Sequence, residues 1–175
     1  MQLRAWQPGD EALLVGAQPD ISAASMTARF LAGHPTLPAA YLRHIAAAPR
    51  ERWDAQVATE ADRLLGWAEF ARLSACEDEV DIAVLVVDSW QRRGVATALL
   101  DAMLPRMFAA GIRVVHADVE PRNTAARATI RAFAQRSRSL TSWGRPGELG
   151  LSGSFADGLL HYRNPWPLAG PPVGE

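Results

Sequence analysis

The period of apolar positions changes several times along the chain, and each change marks an element. Val80, Ile82, Val84 and Val86 alternate with Asp81, Ala83, Leu85 and Val87, which predicts a central strand within Glu79–Asp88. Apolar runs over Trp53–Thr59 and Leu64–Leu73 precede it and read as two strands of a meander. Upstream, Gln2–Trp6 predicts a short strand closed by the Pro8-Gly9-Asp10 turn. In residues 22–33, Met26, Phe30 and Leu31 recur at helical spacing and Gly33 is a good stop. A second helix is expected from Leu37 to about Ala48, with Pro38 in the first turn, where proline is tolerated. The rows Val95–Leu99–Met103–Met107 and Leu100–Leu104–Phe108 predict a helix ending at Gly111, kinked or shortened by Pro105. Val114–Val119 follows as a strand, and Asn123 to about Gln135 as a helix. Strands near 138–143 and 148–154, separated by Gly144-Arg145-Pro146-Gly147, close the pattern.

Three consecutive strands favour antiparallel pairing, whereas the later strand–helix–strand unit favours a parallel pair. A mixed sheet with helices on both faces is the expectation. Domain organisation follows as one domain over 1–155 and a Pro/Gly-rich C-terminal tail over 156–175. From Asn164 onward the chain has four prolines, two glycines and little to bury, so the tail either frays or packs on a partner. The second alternative leaves a homodimer open.

Composition narrows the chemistry. At 175 residues, 49% hydrophobic and 21% charged, the chain is one globular domain's worth of material. A net charge of -1 offers no basic surplus for nucleic acid or an anionic membrane. The longest apolar stretch, Ile82–Val87, is far too short to span a bilayer. Met1–Leu14 is broken by Arg4, Asp10 and Glu11 and does not read as a signal peptide, so a cytoplasmic location is expected. With Cys76 alone, an intrachain disulfide and a cysteine metal cluster are both excluded, and its acidic neighbours leave it inert. His34, His44, His116 and His161 show no metal-ligand spacing, so no metal is expected. Every basic residue is arginine, which removes Schiff-base chemistry and the Gly-Lys-Ser/Thr phosphate loop.

The segment that carries chemistry is Val84-Leu85-Val86-Val87-Asp88-Ser89-Trp90-Gln91-Arg92-Arg93-Gly94-Val95-Ala96-Thr97. It is a buried strand, a short turn, and a glycine-bearing loop that opens a helix. Unpaired N–H groups and the helix dipole at such a start favour an anion, phosphate above all. Gly94 and Ala96 let a ligand approach the backbone closely, and Arg92 and Arg93 add positive charge.

Gln91-Arg92-Arg93-Gly94-Val95-Ala96 resembles the signature of the GNAT superfamily of acyl-CoA-dependent N-acyltransferases, Gln/Arg-x-x-Gly-x-Gly/Ala after an apolar strand. The element order, and Asn123 at the head of the next helix, fit from Leu3 to about Ser154. Within the superfamily, the stretch from Asp81 through Arg93-Gly94, with Met26, Arg29 and Phe30 upstream, resembles bacterial protein-lysine acetyltransferases of the Pat type. The resemblance implies an α/β (α+β) fold, a mixed, mostly antiparallel sheet of about six to seven strands flanked by about four helices. It implies acetyl-CoA as cosubstrate, with the pyrophosphate held by Arg92, Arg93, Gly94, Val95, Ala96 and Thr97. The pantetheine arm then pairs like a strand with the backbone of Val84 and Val86. Asn123 corresponds to a pantetheine contact and also reads as a helix N-cap.

A carboxylate must take the proton of the attacking amine, directly or through water. Asp81 stands where Pat-type enzymes carry a glutamate, and Asp118 where ribosomal-protein acetyltransferases carry theirs. Each is one methylene shorter here, which favours a bridging water. Asp81 is the preferred base, Asp118 the rival, and Glu69 a third candidate. The tyrosine that many members place seven residues after the asparagine is Ile130, expected to turn inward with Ala126 and Phe133. Since a thiol has a pKa near ~8.5, CoA can leave as thiolate without a positioned acid. Of the six tryptophans, Trp53 and Trp143 are the candidates for an acceptor cleft. The implied activity is direct acetyl transfer to an amine, either a protein lysine or a small amine. The missing tyrosine and the two aspartates leave a non-catalytic acyl-CoA-binding or regulatory module as the alternative.

Overall fold

The computed structural model describes residues 1–73, 76–140 and 151–166. The strands are β1 (Gln2–Ala5), β2 (Trp53–Glu60), β3 (Arg63–Arg72), β4 (Glu79–Val86), β5 (Val114–Val119), β6 (Ser152–Ala156) and β7 (Leu159–Pro165). The helices are α1 (Glu11–Ala17), α2 (Ala23–Phe30), α3 (Ala39–Ala47), α4 (Val95–Ala109) and α5 (Thr124–Leu140). All seven strands form one sheet in the order β1-β2-β3-β4-β5-β7-β6. Neighbours pair antiparallel except β4 and β5, which run parallel because α4 crosses between them.

The alternation in β2–β4 sorts side chains to two faces and gives the sheet two cores. On one face Val80, Ile82 and Leu65 meet Leu99, Met103 and Met107 of α4 and Ile130 and Phe133 of α5. On the other, Val57, Trp67 and Leu85 meet Leu14, Met26 and Ile45 of α1, α2 and α3. Large side chains in these cores, Trp53, Trp67, Phe133 and Met103 among them, are less than 2% exposed or nearly so, and each such burial contributes about 1.5–3 kcal/mol.

Several expectations need correction. The chain after Pro8-Gly9-Asp10 forms α1, which the pattern did not predict; its short repeat, Leu14 and Ala17, is all that is buried. Pro105 does not end α4, which continues to Ala109. The proline lacks an N–H, and only one intrahelical bond is forgone. Residues 138–140, expected in a strand, continue α5; 141–150, including the predicted turn and Trp143, lie outside the described residues.

The boundary placed at 155/156 falls at the end of β6, inside a hairpin rather than before a tail. β7 inserts between β5 and β6, and Tyr162 and Asn164 alternate into the core with 7% and 3% exposure. Trp166 then seals the end, its indole 4.4 Å from the Phe108 ring and its backbone N–H donating to the Arg113 carbonyl. Prolines and glycines farther on mask this period-two signal in composition.

Candidate active site

The site grows out of a fork in the sheet. β4 and β5 pair over Glu79–Val114, Val80–Val115 and Asp81–His116, and no register continues beyond that rung. Both strands run on, β4 to Val86 with β3 on its other side and β5 to Val119 with β7 on its other side. Their facing edges border a cleft of about 630 Å³, lined by Ile82–Val86 and by Ala117–Val119. An unpaired strand edge inside a protein presents N–H and C=O groups that an extended ligand can pair with.

At the open end of β4 the chain turns through Asp88–Trp90 and reaches Gly94, whose φ of +79° is a left-handed conformation natural to glycine. α4 starts there. Its first intrahelical bond is Ala98 N–H to Gly94 O at 2.9 Å, so the N–H groups of Val95, Ala96 and Thr97 precede the ladder. A Cβ built on Gly94 meets nothing within 4 Å, so the cradle is open space. Free amides, a helix start and adjacent Arg92 suit a pyrophosphate. Below, the bare β4 edge suits the extended arm behind it. The residues present therefore fit a CoA ester.

Of the sequence-predicted binding residues, Val84, Val86, Arg92, Gly94, Val95, Ala96, Thr97 and Asn123 all line the cleft. Arg93 does not; its guanidinium lies over the Trp90 ring, 5.1 Å from the centroid. Asn123 caps α5, its Oδ1 accepting from the Ala126 N–H at 3.0 Å, while it also faces the cleft. Ile130 is 9% exposed, packs in the α4/α5 core and contributes to the cleft wall. Trp53 is buried against Trp6 at 5.2 Å and does not reach the cleft; Trp90 is the tryptophan that lines it among the described residues.

The three carboxylates occupy one face of the sheet, that of α1–α3. Cross-strand partners share a face, and the pairs Ala71–Asp81, Glu69–Ala83 and Trp67–Leu85 fall in step with the core on that side. Asp81 stands on the last paired rung, at the apex of the fork, opposite His116. Asp81 is exposed and does not itself line the cleft, yet partial desolvation raises its carboxyl above the ordinary value, the Asp118 charge adds to that, and His116 opposes it.

Asp118 lines the cleft and contacts His161 Nδ1 at 2.6 Å, while His161 Nε2 lies 3.0 Å from the Ala156 carbonyl. Facing an acceptor at each nitrogen, His161 is held above its ordinary pKa, first by Ala156 and then by Asp118. His116 pairs with Glu79 at 2.6 Å, which lowers the Glu79 carboxyl.

Glu69 is already engaged. It is 7% exposed, forms an ion pair with Arg29 and accepts from the Tyr41 hydroxyl at 2.5 Å, itself hydrogen-bonded by Trp67 Nε1 at 3.1 Å. Burial, then the Glu69 charge, push the Tyr41 hydroxyl well above its ordinary pKa. Sequence reading missed this network, since Tyr41 and Trp67 carry no motif; the charged Glu69 within an apolar run was the available signal. Among the described residues no group of three or more His, Cys, Asp or Glu is placed to hold a metal ion, and no helix is long and apolar enough to cross a membrane.

The family model described as the acetyltransferase (GNAT) family matches residues 22–134, a span that contains the fork, the glycine loop and Asn123. The chain belongs to the GNAT acetyltransferase family. With that membership come transfer of an acetyl group and acetyl-CoA as its donor.

Solved structures agree on the fold. The GNAT domain of Pat from S. lividans is 24% identical, covering 93% of this chain and 89% of its own, with a TM-score of 0.77. YncA from Salmonella typhimurium, solved with its cofactor acetyl-CoA, is 17% identical over 98% and 99%, TM-score 0.67. The ribosomal-protein-alanine N-acetyltransferase from Brucella melitensis is 16% identical over 94% and 99%, TM-score 0.66. No curated protein matches the chain by sequence.

Proposed function

We propose that the chain transfers the acetyl group directly to an amine, with Asp81 as the base and no covalent enzyme intermediate. The observation that carries this reading is the position of Asp81 on the last rung before the β4 and β5 edges part. A donor laid along β4 from the Gly94 loop ends its arm toward that apex. Its carboxylate is then beside the amine's approach, directly or through one water.

An ammonium cannot attack; Asp81 takes one proton, the free amine forms the C–N bond as the C–S bond breaks, and the second proton on nitrogen passes to solvent as the amide forms. A carboxyl raised above its ordinary value is a better proton acceptor at neutral pH. Ile130 offers no proton to the departing sulfur, so CoA leaves as thiolate, which a thiol pKa of about 8.5 allows. Asp118, paired to His161, and Glu69, paired to Arg29, each have their charge partly satisfied, which favours Asp81 over both.

The acceptor is an amine, and the resemblance of the stretch from Asp81 through Arg93-Gly94 to Pat-type protein-lysine acetyltransferases supports a protein lysine among such acceptors. Release of CoA thiol with acetyl-CoA and a panel of lysine peptides and small amines tests the reading. Asp81→Asn should lower kcat by about 10²–10⁴, the range of positioned proton transfer, with CoA affinity nearly unchanged. Asp118→Asn should do much less. The reverse ranking would transfer the base to Asp118.

A further inference from the structure

The cofactor loop and the α2 wall of the cleft are joined at one carboxylate. Asp88, two residues after β4, accepts from the Ser22 N–H at 3.2 Å and from the Ser25 hydroxyl at 2.7 Å. Gln91 Nε2 completes the joint, lying 3.2 Å from Asp88, 3.0 Å from the Ser25 hydroxyl and 3.2 Å from the Val86 carbonyl. Ser25 and Arg29 of α2 line the cleft on one side, and Gln91, Arg92 and Gly94 on the other.

α2 needs such an anchor. It has eight residues and buries Met26 alone, and helices this short are marginal without tertiary support. Its N-terminus carries orphan N–H groups and the positive end of the dipole, where a carboxylate is favourable. Ser22 caps it internally by accepting the Ser25 N–H at 3.2 Å, so at this N-terminus Asp88 supplies the link that crosses to another element, as Arg29 does through Glu69 at the far end.

We propose that Asp88 is a positioning residue that couples occupancy of the loop at 91–97 to the order of α2, so that the acetyl donor organises the acceptor side of the cleft. The proposal rests on the assignment of CoA to that loop. A donor phosphate that fixes the loop fixes Gln91 and Asp88, and through them Ser22 and Ser25. The donor then prepares the α2 wall before an amine arrives.

Hydrogen exchange of the full chain, read by mass spectrometry with and without acetyl-CoA, reports the two elements separately. In the wild type both the loop at 91–97 and α2 should slow. In Asp88→Ala the loop should remain protected while the added protection of α2 falls about tenfold, the order of one charge-assisted hydrogen bond. Ser25→Ala, which keeps the carboxylate but removes its 2.7 Å contact, should reduce it partway and carries the test if Asp88→Ala does not fold. Asp20→Asn removes the 3.0 Å ion pair to Arg63 just before α2; it should leave the response intact, whereas general fraying would abolish it there too. A loop response with an α2 response equal in wild type and the Asp88 or Ser25 variants, or with none in wild type, overturns this coupling alone. No protection at the loop of folded wild type overturns the CoA assignment with it.

Discussion

Substituting Glu69 separates a carboxylate that holds the wall of the cleft from one that performs chemistry. The Arg29 and Glu69 side chains are 11% and 9% exposed, so solvent screening is weak and the pair must be treated as buried. Breaking a buried pair from one side costs about 3–5 kcal/mol, because the remaining charge is left without its counterion. Glu69→Gln sits at the lower end of that range. The amide oxygen can still accept from Tyr41, and Arg29 keeps its places over the Phe30 and Tyr41 rings at 4.7 and 5.4 Å. A loss of about 3 kcal/mol in a chain of this size lowers Tm by roughly 6–12 °C.

Arg29→Met in the Glu69→Gln background removes the stranded charge with similar volume and should recover most of that loss. Urea unfolding of the four proteins of the cycle gives the coupling energy directly. At a temperature where Glu69→Gln is folded, its kcat should stay within about tenfold of wild type, outside the range for loss of a proton acceptor. Stability within about 0.5 kcal/mol of wild type, strictly additive losses in the double variant, or a fall in kcat of about 10² or more would refute the structural assignment.

Gly94→Glu should abolish CoA binding in calorimetric titration. The open Cβ direction means no packing clash, but φ of +79° costs a non-glycine residue about 1–2 kcal/mol and the new carboxylate faces the phosphate cradle; unchanged affinity in a folded variant would remove the cofactor assignment. Gly66→Ala should lower Tm, since its Cβ would lie 2.7 Å from the Leu85 carbonyl and push on β4; an unchanged melt would mean that the β3–β4 spacing yields freely. The His161 ring should titrate above its ordinary value by NMR, and Asp118→Asn should lower that midpoint. Because its folded pKa is raised, the stabilisation is full below about pH 6.5 and is lost as pH rises through the folded pKa; a midpoint indifferent to Asp118 would break the pair.

Local periodicity determined most of the elements on its own. The meander of β2, β3 and β4, the parallel β4–α4–β5 unit and the glycine loop were legible because each is specified by neighbours within a few residues. Alternation sets a strand's faces, and a glycine before an apolar row sets a helix start. Most of the residues that line the cleft were legible for the same reason: the backbone amides of residues 95–97 at a helix start need no distant partner to define them.

What the tertiary structure alone decided depends on contacts between residues far apart in the chain. The fork exists only because β5 meets β4 for three rungs and then takes β7 as its neighbour, a strand whose place between β5 and β6 no local pattern announces. Glu69 and Asp81, both candidate bases in sequence, part company through Arg29 and Tyr41, 40 and 28 residues from Glu69. Asp118 is likewise set apart by His161, 43 residues on. Periodicity reports which face a side chain takes, whereas its charge state and its partner are fixed by whatever the fold brings to that face.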